Sequence, residues 1–194
     1  MRAVTRAAAT SVSAANYHFG TKEGLVAAAL VRRLEPLNRR RLAALTDLEA
    51  AGNGAAQSVE ALLDAFLRPS FEARYDRGNG RFAFRHVAAQ LYADPHETMA
   101  ALKVQLFAPV VARYIDALER ALPGRSREEL ALNFQFVIGV MVHVISGHAD
   151  GHSESGAREP VDEAILQRMI AFAAAGIRAP GKAPAAIGGE GVEP

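Results

Sequence analysis

Apolar residues recur at three- and four-residue spacing along almost the whole of this 194-residue chain. No stretch alternates apolar and polar residues over a strand length bounded by hairpin turns. Leu25, Leu30, Leu34 and Leu37 fall on one face of a helix, and so do Leu62, Leu63, Phe66, Leu67 and Phe71. Ala and Leu dominate, and both keep helices at little entropic cost. The chain therefore reads as all-α.

Start and stop signals divide it. Residues 2–8 make a short helix, and Ser11–Phe19 a second with Ser11 as N-cap. Thr21 caps a third that runs towards Leu45, with a bend expected at Pro36, where a backbone hydrogen bond is lost. Gly52–Gly54 is a loop, helical spacing runs from about Gln57 to Tyr75, and Arg77–Gly80 breaks it. Another helix covers Phe82–Tyr92. Asp94–Glu97 then reads as Asp cap, first-turn Pro and Glu, opening a helix to Leu122 that is bent or divided at Pro109. Ser126–Glu129 is an S-x-x-E capping box. Leu130–Ser146 is apolar almost all round and so should be covered on two sides. A last helix starts at Pro160, has Asp162 and Glu163 in its first turn, and ends near Ile177–Arg178. Residues 179–194, rich in Pro, Gly and Ala, read as a disordered tail.

Charge is unevenly spread. Residues 1–45 hold eight Lys and Arg (Arg2, Arg6, Lys22, Arg32, Arg33, Arg39, Arg40, Arg41) against Glu23 and Glu35, giving +6. The whole chain carries only +1, so the remainder carries −5. A basic end on an acidic body fits a polyanion partner, and equally a solvated helix face. The chain has no cysteine, so disulfides and thiolate metal sites are excluded. The longest apolar run, Phe136–Ile145, falls short of the roughly 18 residues that span a bilayer. The N-terminus lacks the apolar core of a signal peptide, so no membrane partner and a cytoplasmic location are expected.

The most specific stretch is "RAAATSVSAANYHFGTKEGL", Arg6–Leu25. Asn16, Tyr17 and His18 are three successive polar-tipped residues that cannot all face a core. Phe19-Gly20 then ends one helix, and Thr21-Lys22-Glu23 begins the next. Two short helices around a tight turn, with polar residues along the second, form a helix-turn-helix pattern. In these residues the stretch resembles the DNA-binding segment of TetR-type transcriptional regulators. "NYHF" followed by "TKEGL" carries most of that likeness, which covers about twenty residues. The chain departs from the pattern by beginning at the family's second helix. Ala9 stands where a turn glycine is usual, Thr10 where an apolar anchor is usual, and Ala15 is smaller than the common aliphatic residue.

The resemblance implies roles. Ala8, Ala15 and Phe19 would lie on the inner face of the motif. Ser11, Ser13, Ala14 and Asn16 would enter the major groove, where Asn16 can pair with adenine and Ala14 can touch a thymine methyl. Tyr17, His18 and Lys22 would reach phosphates, Lys22 at a helix N-terminus that already favours an anion. It implies a helix-turn-helix domain with connecting helix over 1–45, and an effector-binding and dimerisation domain over 46–178. The last two long helices, Leu130–Ser146 and Pro160–Ile177, would pair with a second copy as a four-helix bundle. The symmetric dimer would read a palindromic double-stranded operator. A small-molecule effector would release it by tilting Thr21–Leu45 about Pro36 and changing the spacing of the recognition helices. Phe66, Phe82, His86, Tyr92, Phe107, Asn133, Phe136 and His143 are the candidate pocket residues, apolar walls with a few polar tips.

No enzyme, cofactor or metal is expected. There is no nucleophile elbow and no phosphate-binding glycine loop. His148, Asp150 and His152 sit between helix-breaking glycines. The rival reading is a non-enzymatic dimeric ligand-binding or interaction module whose DNA-binding end is incomplete.

Overall fold

A computed structural model describes residues 6, 8, 9, 11–75, 97–146 and 163–179. Among them every regular element is an α-helix, as the spacing requires. The helices are α1 (Val12–Phe19), α2 (Lys22–Ala51), α3 (Val59–Tyr75), α4 (Glu97–Ala121), α5 (Arg127–Ile145) and α6 (Glu163–Arg178). The helices expected at 2–8 and 82–92, the Asp94 cap, the His148–His152 stretch and the tail beyond 179 lie wholly or mostly outside the described residues.

Local chemistry fixes the ends. The Ala14 N–H donates to Ser11 Oγ at 3.0 Å, and the Gly24 N–H to Thr21 Oγ1 at 3.0 Å, so each cap satisfies one orphan donor of its helix. Ser126 and Glu129 form the reciprocal capping box of α5. Of the two outcomes expected at Pro109, bending or division, the helix is not divided, and the helix containing Pro36 is likewise continuous. Pro36 lies within the single 30-residue α2 and Pro109 within α4, and both rings face solvent, where a lost hydrogen bond is replaced by water. The boundary drawn at residues 45 and 46 falls inside α2.

The centre of the body is α3, which packs on α2, α4, α5 and α6. Leu62, Leu63, Phe66, Leu67 and Phe71 are all buried to 1% exposure or less. They join Leu45, Tyr114, Leu118, Leu130, Phe134 and Ile177 in the main core. A smaller cluster of Leu30, Leu34, Leu37 and Leu102 fastens the middle of α2 to α4. At the far side, Arg68 pairs with Glu163 at 2.8 Å and Arg178 with Glu60 at 2.5 Å, clamping both ends of α6 to α3.

Among the described residues of one chain α5 is covered on one side, and the second side is the one expected to meet a partner copy. Leu130, Phe134, Val137, Met141 and Ile145 face the core, whereas Leu132 and Phe136 are 52% and 61% exposed. By length and mean hydropathy α5 is also apolar enough to cross a membrane, which the short Phe136–Ile145 run had not suggested; a third of it is buried in the protein. The isolated Asn133, Gln135 and His143 interrupt the apolar run without lowering the average enough to matter.

Candidate nucleic-acid interface and the body behind it

Helix α1 is held at its two ends and along one edge. Ala15, 6% exposed, is its one buried residue and faces α2, the helix that α1 packs against. The Gly20 N–H donates to the Asn16 carbonyl at 2.9 Å, and Gly20 itself has φ +69°, a left-handed stop that glycine adopts without steric cost. Gly24 closes the corner. A Cβ there would lie 2.2 Å from the Phe19 carbonyl oxygen, so the end of α1 rests directly on the first turn of α2. Sequence spacing did not single out Gly24; only the close approach explains it. Ala9 adopts φ +48°, so this position does need the left-handed turn that a glycine would supply more cheaply.

The polar triplet is outside the protomer. Tyr17 is 87% exposed, and Asn16 and His18 are exposed beside it. The Tyr17 and His18 rings meet edge to face at 5.3 Å. Ser11 and Ser13 are also exposed, and Ala14 is half-buried. Of the three residues expected inside, Ala15 is buried, whereas Phe19 is 40% exposed and Ala8 is exposed. Lys22 is exposed at the start of α2, one turn from the triplet. Among the described residues no ion pair involves Lys22, Arg32 or Arg33. The arrangement is a ridge of hydrogen-bonding tips and a cation at two adjoining helix ends.

Not all of the eight basic residues contribute to that ridge. Arg39 pairs with Glu35 on its own helix, and Arg40 pairs with Glu72 of α3. Arg41 is 1% exposed and lies in the core, so it cannot meet a polyanion. Its Nε donates to the Phe66 carbonyl at 3.0 Å, one Nη to Asn38 Oδ1 at 3.2 Å, and the other to Ser70 Oγ at 2.6 Å and Met141 Sδ at 3.3 Å. Its guanidinium carbon stands 4.1 Å from the centre of the Phe66 ring, a cation–π contact in a buried site. The Tyr114 hydroxyl donates to the Arg41 carbonyl at 2.8 Å, and burial pushes its phenol above the ordinary range. Asn38 Nδ2 donates to the Leu106 carbonyl at 2.7 Å. One polar knot thus joins α2, α3, α4 and α5. The signal for it was present: Leu34, Leu37, Asn38, Arg41 and Leu45 share one helix face.

The candidate pocket residues separate into distinct places. Phe66 lies in the core, with its ring 5.1 Å from Tyr114 and 4.7 Å from Phe134. Phe107 is half-buried against the Leu34–Leu37 cluster. Asn133 and Phe136 line a hollow on the outer side of α5, and His143 is exposed on the same helix. Phe82, His86 and Tyr92 lie outside the described residues. Phe134 and Phe136 show why spacing matters: two residues along a helix turn a side chain to the opposite face. A separate open cleft of about 830 Å³ lies between α2, α3 and α6, where the Arg40–Glu72 and Arg68–Asp64 pairs sit over a floor of small residues such as Ala44, Ala61 and Ala65.

A protein-family model described as "Tetracyclin repressor-like, C-terminal domain" matches residues 64–176, which is 113 of the 194 residues. A search of curated proteins finds no match. The matched segment is the helical body, and it does not overlap the Arg6–Leu25 motif, so two separate parts of the chain point the same way. The chain belongs to the TetR family of transcriptional regulators.

Proposed function

We propose that the chain is a cytoplasmic, homodimeric, DNA-binding repressor that a small-molecule effector releases from a palindromic operator. The observation that carries this reading is the exposure of Asn16, Tyr17 and His18 on a helix whose other edge is fixed to α2. A tyrosine 87% exposed beside an exposed histidine does not contribute to the core of the described residues. In the major groove Asn16 would read a base edge, with Ser11, Ser13 and Ala14 alongside; Tyr17, His18 and Lys22 would hold phosphates.

Helix α2 is the means of control. It carries Lys22 at one end and Arg41 in the core, about 28 Å further along at 1.5 Å per residue. An effector bound among the body helices would press on the elements that the Arg41 knot ties together, and α2 would carry the displacement to the DNA end. Release requires that the effector bind the DNA-incompetent state more tightly, since equal affinity shifts nothing. Asn133 and Phe136, which face away from Phe66, are assigned to the dimer face instead. That face consists of the outer sides of α5 and α6, where Leu132, Phe136, Ile165 and Phe172 are exposed.

The test is a titration of the chain onto DNA from upstream of its own gene, at several salt concentrations and against competitor DNA. A repressor of this design discriminates the two, and its affinity falls steeply with salt. Equal weak binding to every sequence would contradict it.

A further inference from the structure

The outer face of α5 and α6 carries two glycines that the chain's own packing does not require. Gly139 and Gly176 lie inside helices, where glycine is disfavoured against alanine because it loses more backbone freedom on folding. Among the described residues a Cβ at either position would meet nothing within 4 Å. Gly24 is the contrast, where the backbone of the same chain fills the space. Among the described residues no contact of the protomer accounts for glycine at 139 or 176.

Beside them is a hollow of about 150 Å³, floored by buried Val137, Ala173 and Ile177 and rimmed by Phe136, Phe172 and Gly176. An apolar cavity of roughly this volume accepts one benzene ring. The rim supplies such rings, since Phe136 is 61% and Phe172 68% exposed. Ring and socket thus occupy the same patch, as an isologous two-fold contact demands of a single surface. Around the hollow itself no Asp, Glu, Lys or Arg occurs from Leu130 to Val142 or from Met169 to Ile177, and exposed Arg168 stands one turn before Phe172 at the edge of the face. A two-fold axis brings residues close to their own copies, and a charged face would oppose itself there.

We propose that this hollow is a socket for a phenyl ring of a second copy of the chain, with Gly139 and Gly176 marking where the helices of the two copies approach most closely. The socket rests on the dimeric reading above and adds its register. The partner must be another copy because the complementary ring is already present on the same face, in the same apolar surroundings.

Analytical ultracentrifugation of the full chain and of Gly139→Leu, Gly176→Leu and Phe172→Ala, with far-ultraviolet circular dichroism, tests it. A Cβ at either glycine has open space among the described residues, and leucine favours helix over glycine, so helical content should stay at the wild-type level. It blocks the approach of the second copy, and the dimer dissociation constant rises about 30-fold or more, as for a contact at the centre of an interface. Phe172→Ala weakens the dimer by removing the ring without adding bulk, and it decides the matter if a leucine variant loses helix. A wild-type dimer whose dissociation constant moves less than about threefold in all three variants, the range of an ordinary surface change, overturns the socket and leaves the dimer standing. A wild-type chain that stays monomeric at every concentration overturns the dimeric reading and the socket together.

Discussion

Two surfaces of this molecule expose aromatic rings, and what surrounds those rings differs. At the end of α1, Tyr17 and His18 carry polar tips, with Asn16 before them and Lys22 one turn beyond. On the outer side of α5 and α6, the Phe136 and Phe172 side chains are carbon only, and no charged residue occurs from Leu130 to Val142 or from Met169 to Ile177. Exposure is common to both. The chemistry of the rim separates them: tips that donate and accept suit a hydrated polyanion, while a charge-free apolar face suits a copy of itself.

One helical body carries both surfaces, and the largest effect comes from loosening it. Arg41→Ala leaves the Phe66 carbonyl, Asn38 and Ser70 without their buried donor. It should cost about 3 kcal/mol in urea unfolding, since each orphaned buried group is expensive. Next is a charge placed on the uncharged face. Phe136→Asp should weaken self-association by about 2 kcal/mol or more in sedimentation equilibrium. It should also lower DNA affinity although α1 is untouched; a monomeric variant with wild-type DNA affinity would separate the two surfaces. At the other surface, Asn16→Ala should lose about 1–3 kcal/mol of discrimination at one base pair. Lys22→Ala should instead weaken binding to all DNA alike and reduce the salt slope by about 1. If Asn16→Ala left sequence preference intact, its base-reading role would be wrong.

The smallest effect concerns how α6 is held. Hydrogen bonds from Arg178 and Arg68 hold the Glu60 and Glu163 carboxyls down at about 2, below the ordinary 4.5. A carboxyl depressed on folding stabilises the fold fully above its unfolded value and loses that contribution as pH falls towards the folded one. Stability should therefore fall between about pH 4.5 and 2. Glu163→Gln should flatten that limb slightly, because the pair is exposed and screened, as a pH series of thermal unfolding would show.

Much of the fold was legible, because helices leave their period and caps in the residues themselves. Ser11, Thr21 and the Ser126–Glu129 box fall at helix starts, and Arg178 ends α6. Pro109 does not divide its helix, because a proline ring facing solvent can sit inside a long helix that packing holds together. The exposure of Asn16, Tyr17 and His18 was legible from their order alone. The body's polar knot was not, because Arg41 sits in a run of three arginines and was counted with its neighbours as surface charge. Its place on the Leu34–Leu45 face would have separated it. The pocket was not legible, because residue type does not say on which side of a helix Phe66 and Phe136 lie; that depends on which neighbours cover each face.

Hydroxyl-radical footprinting of the chain on DNA upstream of its own gene tests the central claim most directly, that α1 and the start of α2 are a DNA-contact surface presented twice by a symmetric dimer. It should show two protected half-sites on one face of the duplex, centred about one helical turn (~34–36 Å) or a multiple of it apart, and lost in competition with unlabelled copies of the same sequence. A single unpaired patch, or protection that is the same on any DNA, would contradict it.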